Sequence, residues 1–244
     1  MPIVPQNWKL PESIARRLSP TTYGRQRAIV EERQILLVLH RPPKADQERR
    51  EGVLFWRDAG GEWSSSRGQP GVGALKRHLQ EYAAIEERLG DVYEGATTSA
   101  DLFAVLDEAT PVARAARNGS AAFQAARQEF GDDPALLELR DLAGDIERNF
   151  ELLLEDTRNK ISYRAVREAE EQAALTRETL RASHRLNLLA ALFLPVSAVG
   201  AIFGMNLASG LESAGPALFW LATGFALALG VGMTLWVVGG RRRA

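Results

Sequence analysis

Hydrophobic positions along the chain follow three successive rhythms. Over residues 1–70 they come in short runs broken by turn residues, the signature of strands. The run "QILLVLH" (34–40) predicts a buried strand, and "GVLFWRDAGGEWSSS" (52–66) predicts a hairpin turning at Asp58 to Gly61. Pro42 with Pro43 and "SRGQPGVG" (66–73) mark loops. From Val72 the spacing lengthens to the helical period, with Leu75, Leu79, Tyr82, Ala83, Ile85 and Leu89 on one side. Two further helices are predicted over 99–117 and 120–130. A small sheet packed on these helices makes residues 1–133 an α+β domain.

The second rhythm starts at Asp133-Pro134, an N-cap residue followed by a proline at the first helical position. Leu136, Leu139, Leu142, Ala143, Ile146, Phe150 and Leu153 recur at helical spacing, then more sparsely Ile161 and Ala165. Gly144 weakens the helix, but no second proline interrupts it before Pro195. One helix is therefore predicted from 134 to about 203, ~105 Å at 1.5 Å per residue. Its stalk portion, 134–185, needs neighbours along its length. Between 155 and 185 the apolar stripe thins to Ala, Thr and Ser. Close approach of identical subunits, a solvated inner wall and an ordinary coiled-coil stalk all fit that thinning.

The third rhythm is continuous apolarity. Residues 186–203 and 217–238 contain no charge, and at 1.5 Å per residue they reach about 27 and 33 Å, enough to cross a ~30 Å hydrocarbon core. Composition hides this, because 25% of the 244 residues are charged and the formal net charge is -1. The charge is segregated. Residues 1–185 hold 27 Lys/Arg and 30 Asp/Glu, whereas 186–238 hold only Glu212. Arg177, Arg181 and Arg185 precede the first span, Arg241 to Arg243 sit in the tail 239–244, and the connecting loop 204–216 has no Lys or Arg. The positive-inside rule places both termini in the cytoplasm, in a multi-pass protein of the inner (plasma) membrane. Trp220 and Trp236 suit the interfacial belts. No cleavable signal is expected at "MPIVPQNWKLPES", and the absence of cysteine excludes disulfides and thiolate metal sites. His40, His78 and His184 lack metal-ligand spacing. No catalytic motif, cofactor-binding loop or basic-aromatic patch for nucleic acid occurs, so neither an enzyme nor a nucleic-acid partner is expected. His184, Arg181 and Arg185 suit lipid phosphates.

A long charged helix entering a span that ends "FLPVSAVGAIFGMN", then a short loop, a second span and a basic cluster, resembles the CorA superfamily of divalent-cation channels. The likeness is close over 134–244 and architectural over 1–133. It implies a homopentamer shaped as a funnel, with the first span lining a central pore and the second facing lipid. It implies transport of Mg2+, often Co2+ or Ni2+, with Zn2+ on one branch. Gly204, Met205 and Asn206 would form the selectivity motif. A ring of Asn206 carboxamides can accept hydrogen bonds from the water shell of an ion that dehydrates reluctantly, without trapping it. Gly204 permits a turn, and Met205 would pack the loop. Outside this context Asn206 reads first as a helix C-cap.

The resemblance makes Ser183, Leu186, Ala190, Leu194, Ser197 and Ala201, one stripe at 3–4 spacing, the pore face. Leu186 and Leu194 suit gating by dewetting, although the same stripe suits helix packing. Asn187 lies one position off the stripe. Pro195 is a candidate hinge, since it frees the carbonyl of Ala191. Phe203, Ala201, Leu194 and Ser197 stand where Tyr, Gly, Met and Thr are frequent in the family. Glu151, Glu155 and Asp156 are acidic neighbours on the stalk, more naturally a solvated face than a regulatory metal site. A Zn2+ transporter and a non-conducting membrane-anchored coiled-coil scaffold or sensor are the alternatives.

Overall fold

The computed structural model describes residues 3–44, 50–68, 71–131, 133–204 and 215–240. In chain order it contains α1 (Glu12–Ala15), β1 (Arg27–Glu31), β2 (Gln34–His40), β3 (Gly52–Arg57), β4 (Trp63–Ser65), α2 (Val72–Gly95), α3 (Ser99–Glu129), α4 (Pro134–Gly204) and α5 (Pro216–Gly240). The chain divides into two units, 1–165 and 166–244.

In the first unit, the four strands form one antiparallel sheet in sequential order. Successive side chains of β2 point to opposite faces, and both faces are covered. Ile35, Leu37 and Leu39 join Val53 and Phe55 against Leu75, Leu79 and Tyr82 of α2, Phe123 of α3, and Leu139, Ile146 and Phe150 of α4. Leu36 and Val38 join Ile29 and Leu54 against Ile14, with Trp8, Leu10 and Leu18 of the N-terminal segment. Three layers thus explain the unbroken apolar run of β2, which a sheet with one wet face would not need. Truncating a side chain as buried as Leu37 to alanine costs about 2–5 kcal/mol.

The sequence suggested two helices over 99–117 and 120–130; instead α3 runs unbroken through Asn118-Gly119. Gly119, Ser120, Ala122 and Phe123 are all buried beside Ala115 and Ala116, so tertiary packing overrides the ~1 kcal/mol helix penalty of glycine. α3 starts on a capping box in which the Thr98 hydroxyl accepts from the Asp101 amide at 3.2 Å and the Asp101 carboxylate accepts from the Thr98 amide at 2.7 Å. Asp133 caps α4 as its sequence suggests: Oδ1 accepts from the amides of Ala135 (2.9 Å) and Leu136 (3.3 Å). Its other oxygen accepts from Arg57 Nε at 3.0 Å, tying the end of β3 to the start of α4. At the far end of the first unit, Lys160 Nζ and Arg164 Nη2 donate to the carbonyls of Tyr93 and Ala96 that close α2.

β1 and β2 pair from Arg27 with Val38 to Glu31 with Gln34, leaving a two-residue turn of Glu32 (φ 51°) and Arg33 (φ 61°). Left-handed backbone at both positions is the hairpin geometry that favours Asn-Gly, so two ordinary residues carry strain there. Glu32→Asn with Arg33→Gly should therefore raise the stability of this unit by about 1 kcal/mol, read as a higher thermal midpoint by tryptophan fluorescence of the full-length protein.

His78 lies between Phe55 (5.5 Å) and Tyr82 (5.6 Å) and is 5% exposed. Burial pushes its imidazole down to about 4, and the charges of Arg67 and Arg41 act in the same direction. An unfolded histidine binds its proton near 6.5, so the stability that the neutral ring contributes is complete above that pH. It is lost as pH falls toward 4. His78→Phe should flatten the decline of the thermal midpoint between pH 6.5 and 4.

Candidate functional site

In the second unit, α4 from Val166 onward and α5 are the described elements, and both are long and apolar enough to cross a membrane. Their pairing is asymmetric. On α4, Leu188, Ala191, Leu192, Pro195, Val196 and Val199 are half-buried, and they recur at the helical period. On α5, Ala222, Ala226, Gly230 and Thr234 form an every-fourth-residue ridge that is buried or half-buried, Ala226 being 2% exposed. Small residues let two backbones approach, which is how helices gain contact where lipid removes the hydrophobic drive. Gly230 sets the distance: a Cβ there would lie 2.8 Å from the Leu192 carbonyl oxygen and 3.4 Å from its Cα.

Ser183, Leu186, Ala190, Leu194, Ser197 and Ala201 are all exposed, with Leu186 at 67% and Leu194 at 66%. At 3.6 residues per turn this stripe lies roughly half a turn from the face that meets α5. Asn187 is also exposed, at the edge of the same free side. Pro195 lies within the helix on the side toward α5, not on the stripe. Gly204 is the last residue of α4, and among the described residues beyond its own helical turn nothing lies within 4 Å of the position a Cβ would take. Met205, Asn206 and the tail arginines Arg241 to Arg243 lie outside the described residues. Outward on α5, Trp220 and Trp236 are 68% and 78% exposed near the two ends of the helix.

The acidic residues of the stalk do not converge. Glu151 pairs with Arg117, which also meets Glu147 at 3.4 Å, and Glu155 and Asp156 are exposed to solvent. Among the described residues, no three His, Asp or Glu side chains are grouped to hold a metal. The small-residue ridge on α5 was readable as a four-residue spacing, although the pore-stripe argument does not use it.

An α+β domain before a long helix whose apolar end pairs with one further apolar helix defines a two-span membrane protein. The family model described as "CorA-like Mg2+ transporter protein" matches residues 74–243, and the chain belongs to this family of divalent-cation transporters. Among solved structures it resembles that of the full-length CmaX protein, at 18% identity over 98% of this chain and 83% of that one, with a TM-score of 0.58. The complete structure of the CorA magnesium transporter from Methanocaldococcus jannaschii also matches, at 17% identity over 92% of this chain and 80% of that one, with a TM-score of 0.34. No curated protein matches the chain.

Gly230→Ala should lower the thermal midpoint of the full-length protein in detergent, because the clash is with backbone. Gly232→Ala, with nothing within 4 Å of its Cβ position, should hold or raise the midpoint.

Proposed function

We propose that the chain is the subunit of a homopentameric channel that carries Mg2+, with Co2+ and Ni2+ as further cargo, through a pore lined by α4. One observation carries the reading. α5 occupies one side of α4 and leaves Ser183, Leu186, Ala190, Leu194, Ser197 and Ala201 free on the other. Two spans cannot enclose water, so a conducting unit needs several copies, and this free side is the surface they would turn inward. The serines and alanines give width for a hydrated ion, and the leucine rings give a segment that excludes water when it narrows.

At the outer mouth, a ring of Asn206 would hold the ion through its hydration shell, with Gly204 and Met205 shaping the approach and Pro195 allowing α4 to bend. Both termini are placed in the cytoplasm, which puts Arg177, Arg181 and Arg185 at the inner lipid phosphates. An inside-negative potential then favours entry of a divalent ion by about 4.6 kcal/mol per 100 mV.

The decisive experiment is cation uptake into liposomes holding the purified full-length protein, with Mg2+, Co2+, Ni2+ and Zn2+ in competition. Wild type should take up Mg2+, and Asn206→Ala should reduce that uptake at least tenfold while leaving the oligomer seen by native mass spectrometry intact. Uptake of Zn2+ alone would assign the protein to zinc transport. No Asn206-dependent uptake of any ion would leave a membrane-anchored scaffold.

A further inference from the structure

A cavity of about 960 Å3 opens in the first unit where the segment leading into β1 meets the end of β2 and the middle of α3. Its wall carries Arg25, Arg50 and Arg114, together with Asn118 and the hydroxyl residues Thr21 and Thr22. Elsewhere in this unit Arg41, Arg57, Arg88 and Arg117 each meet a carboxylate. Among the described residues, the side chains of Arg25, Arg50 and Arg114 form no ion pair. Three like charges around one concavity repel one another, and among the described residues no carboxylate pairs with them to offset that repulsion.

The wall is tied down by hydrogen bonds, most of them part-buried. Gln26 donates through Nε2 to the Ala115 carbonyl at 2.7 Å and accepts from the His40 amide at 3.1 Å, clamping strand to helix. Arg27 donates to the carbonyls of Tyr23 (3.1 Å) and Arg25 (2.8 Å), which shapes the loop carrying Arg25. Arg114 and Asn118 are four residues apart on α3 and therefore share a face. A second, independent feature lies in the same wall. His40 is 4% exposed and its Nε2 is 2.9 Å from the Gly24 carbonyl, so Nε2 is the donor. The remaining nitrogen, Nδ1, is a buried acceptor with no partner among the described residues. A buried acceptor left without a donor is a cost to the fold.

We propose that this cavity binds a phosphate-bearing anion with at least two negative charges and a hydroxyl-bearing body, up to the size of a mononucleotide, held by Arg25, Arg50 and Arg114 and by Asn118. Arginine forks suit phosphate oxygens in pairs, and Asn118 with Thr21 and Thr22 offers polar groups to a hydroxyl on the same ligand. Burial, and then the Arg50 and Arg27 charges, keep the His40 imidazole below its ordinary value, which preserves that acceptor at neutral pH. None of these residues belongs to the stripe assigned to the ion, and the test reads binding without transport.

Isothermal titration of the full-length protein in detergent, with metal chelated, should give saturable binding of pyrophosphate and ATP and weaker binding of sulfate. Arg25→Ala with Arg114→Ala should weaken it at least tenfold with the ligand-free thermal midpoint unchanged. Asn118→Asp, which sets a carboxylate in the wall, should weaken it without removing a cation. Nanodiscs with and without phosphatidic acid separate a lipid source from a soluble one, because arginine-dependent binding of that lipid alone supports a headgroup as the natural ligand. Absence of binding by all three probes, or binding that both variants leave unchanged, overturns the proposal.

Discussion

The close approach of Gly230 to the Leu192 carbonyl governs the membrane part of this protein. In lipid, apolar side chains gain nothing by leaving one another's company for hydrocarbon, so helices stay together through close packing. The ridge of Ala222, Ala226, Gly230 and Thr234 spends that packing on one side of α4. A single neighbour cannot cover a cylinder. The opposite side, with Leu186 and Leu194 two-thirds exposed, has to meet something else. Lipid would accept the leucines, but it has less use for Ser183, Ser197 and Asn187 on the same free side. That mixture of small polar and apolar residues is what links local packing to the proposed pore.

In the first unit the equivalent constraint is the double coverage of β2. Its apolar run was legible as a buried strand because consecutive residues have opposite faces and both were apolar. The covering layer was much less legible. Leu10, Ile14 and Leu18 recur every fourth residue, but the helix there is only Glu12–Ala15, and Trp8 and Leu10 come from irregular backbone before it. The β1–β2 turn escaped for another reason. Glu32 and Arg33 adopt left-handed backbone without the Asn or Gly that advertises it, so the pairing is dictated by the sheet and not by the turn.

Helix boundaries show the same division between local and tertiary causes. Asp133-Pro134 announced α4 because both residues act within one turn, whereas the continuity of α3 depends on distant partners. Pro111 lies inside it as well; the carbonyl deprived of a donor belongs to Asp107, an exposed residue, so water can take that bond. The stripe of the candidate site was legible from spacing alone, and the structure adds which side α5 occupies. Met205 and Asn206 rest on motif and position.

Charge distribution joins the two units into one physical argument about what each can hold. Acidic residues outnumber basic ones over 1–185, 30 to 27, yet among the described residues the charged side chains lining the concavity beside α3 are all arginines. The stalk acids that might have answered a metal are instead engaged, as Glu151 is by Arg117, or separated in solvent. A divalent cation and a phosphate anion thus find opposite surroundings in this chain. Hydrated cations suit uncharged dipoles, which release them readily, whereas a multivalent anion suits fixed guanidinium groups, which do not. Fast release is what conduction demands, and lasting occupancy is what recognition demands. On the two proposals, guanidinium groups carried by residues of the α+β unit and the uncharged stripe carried by α4 would let one polypeptide meet both requirements with separate sets of residues.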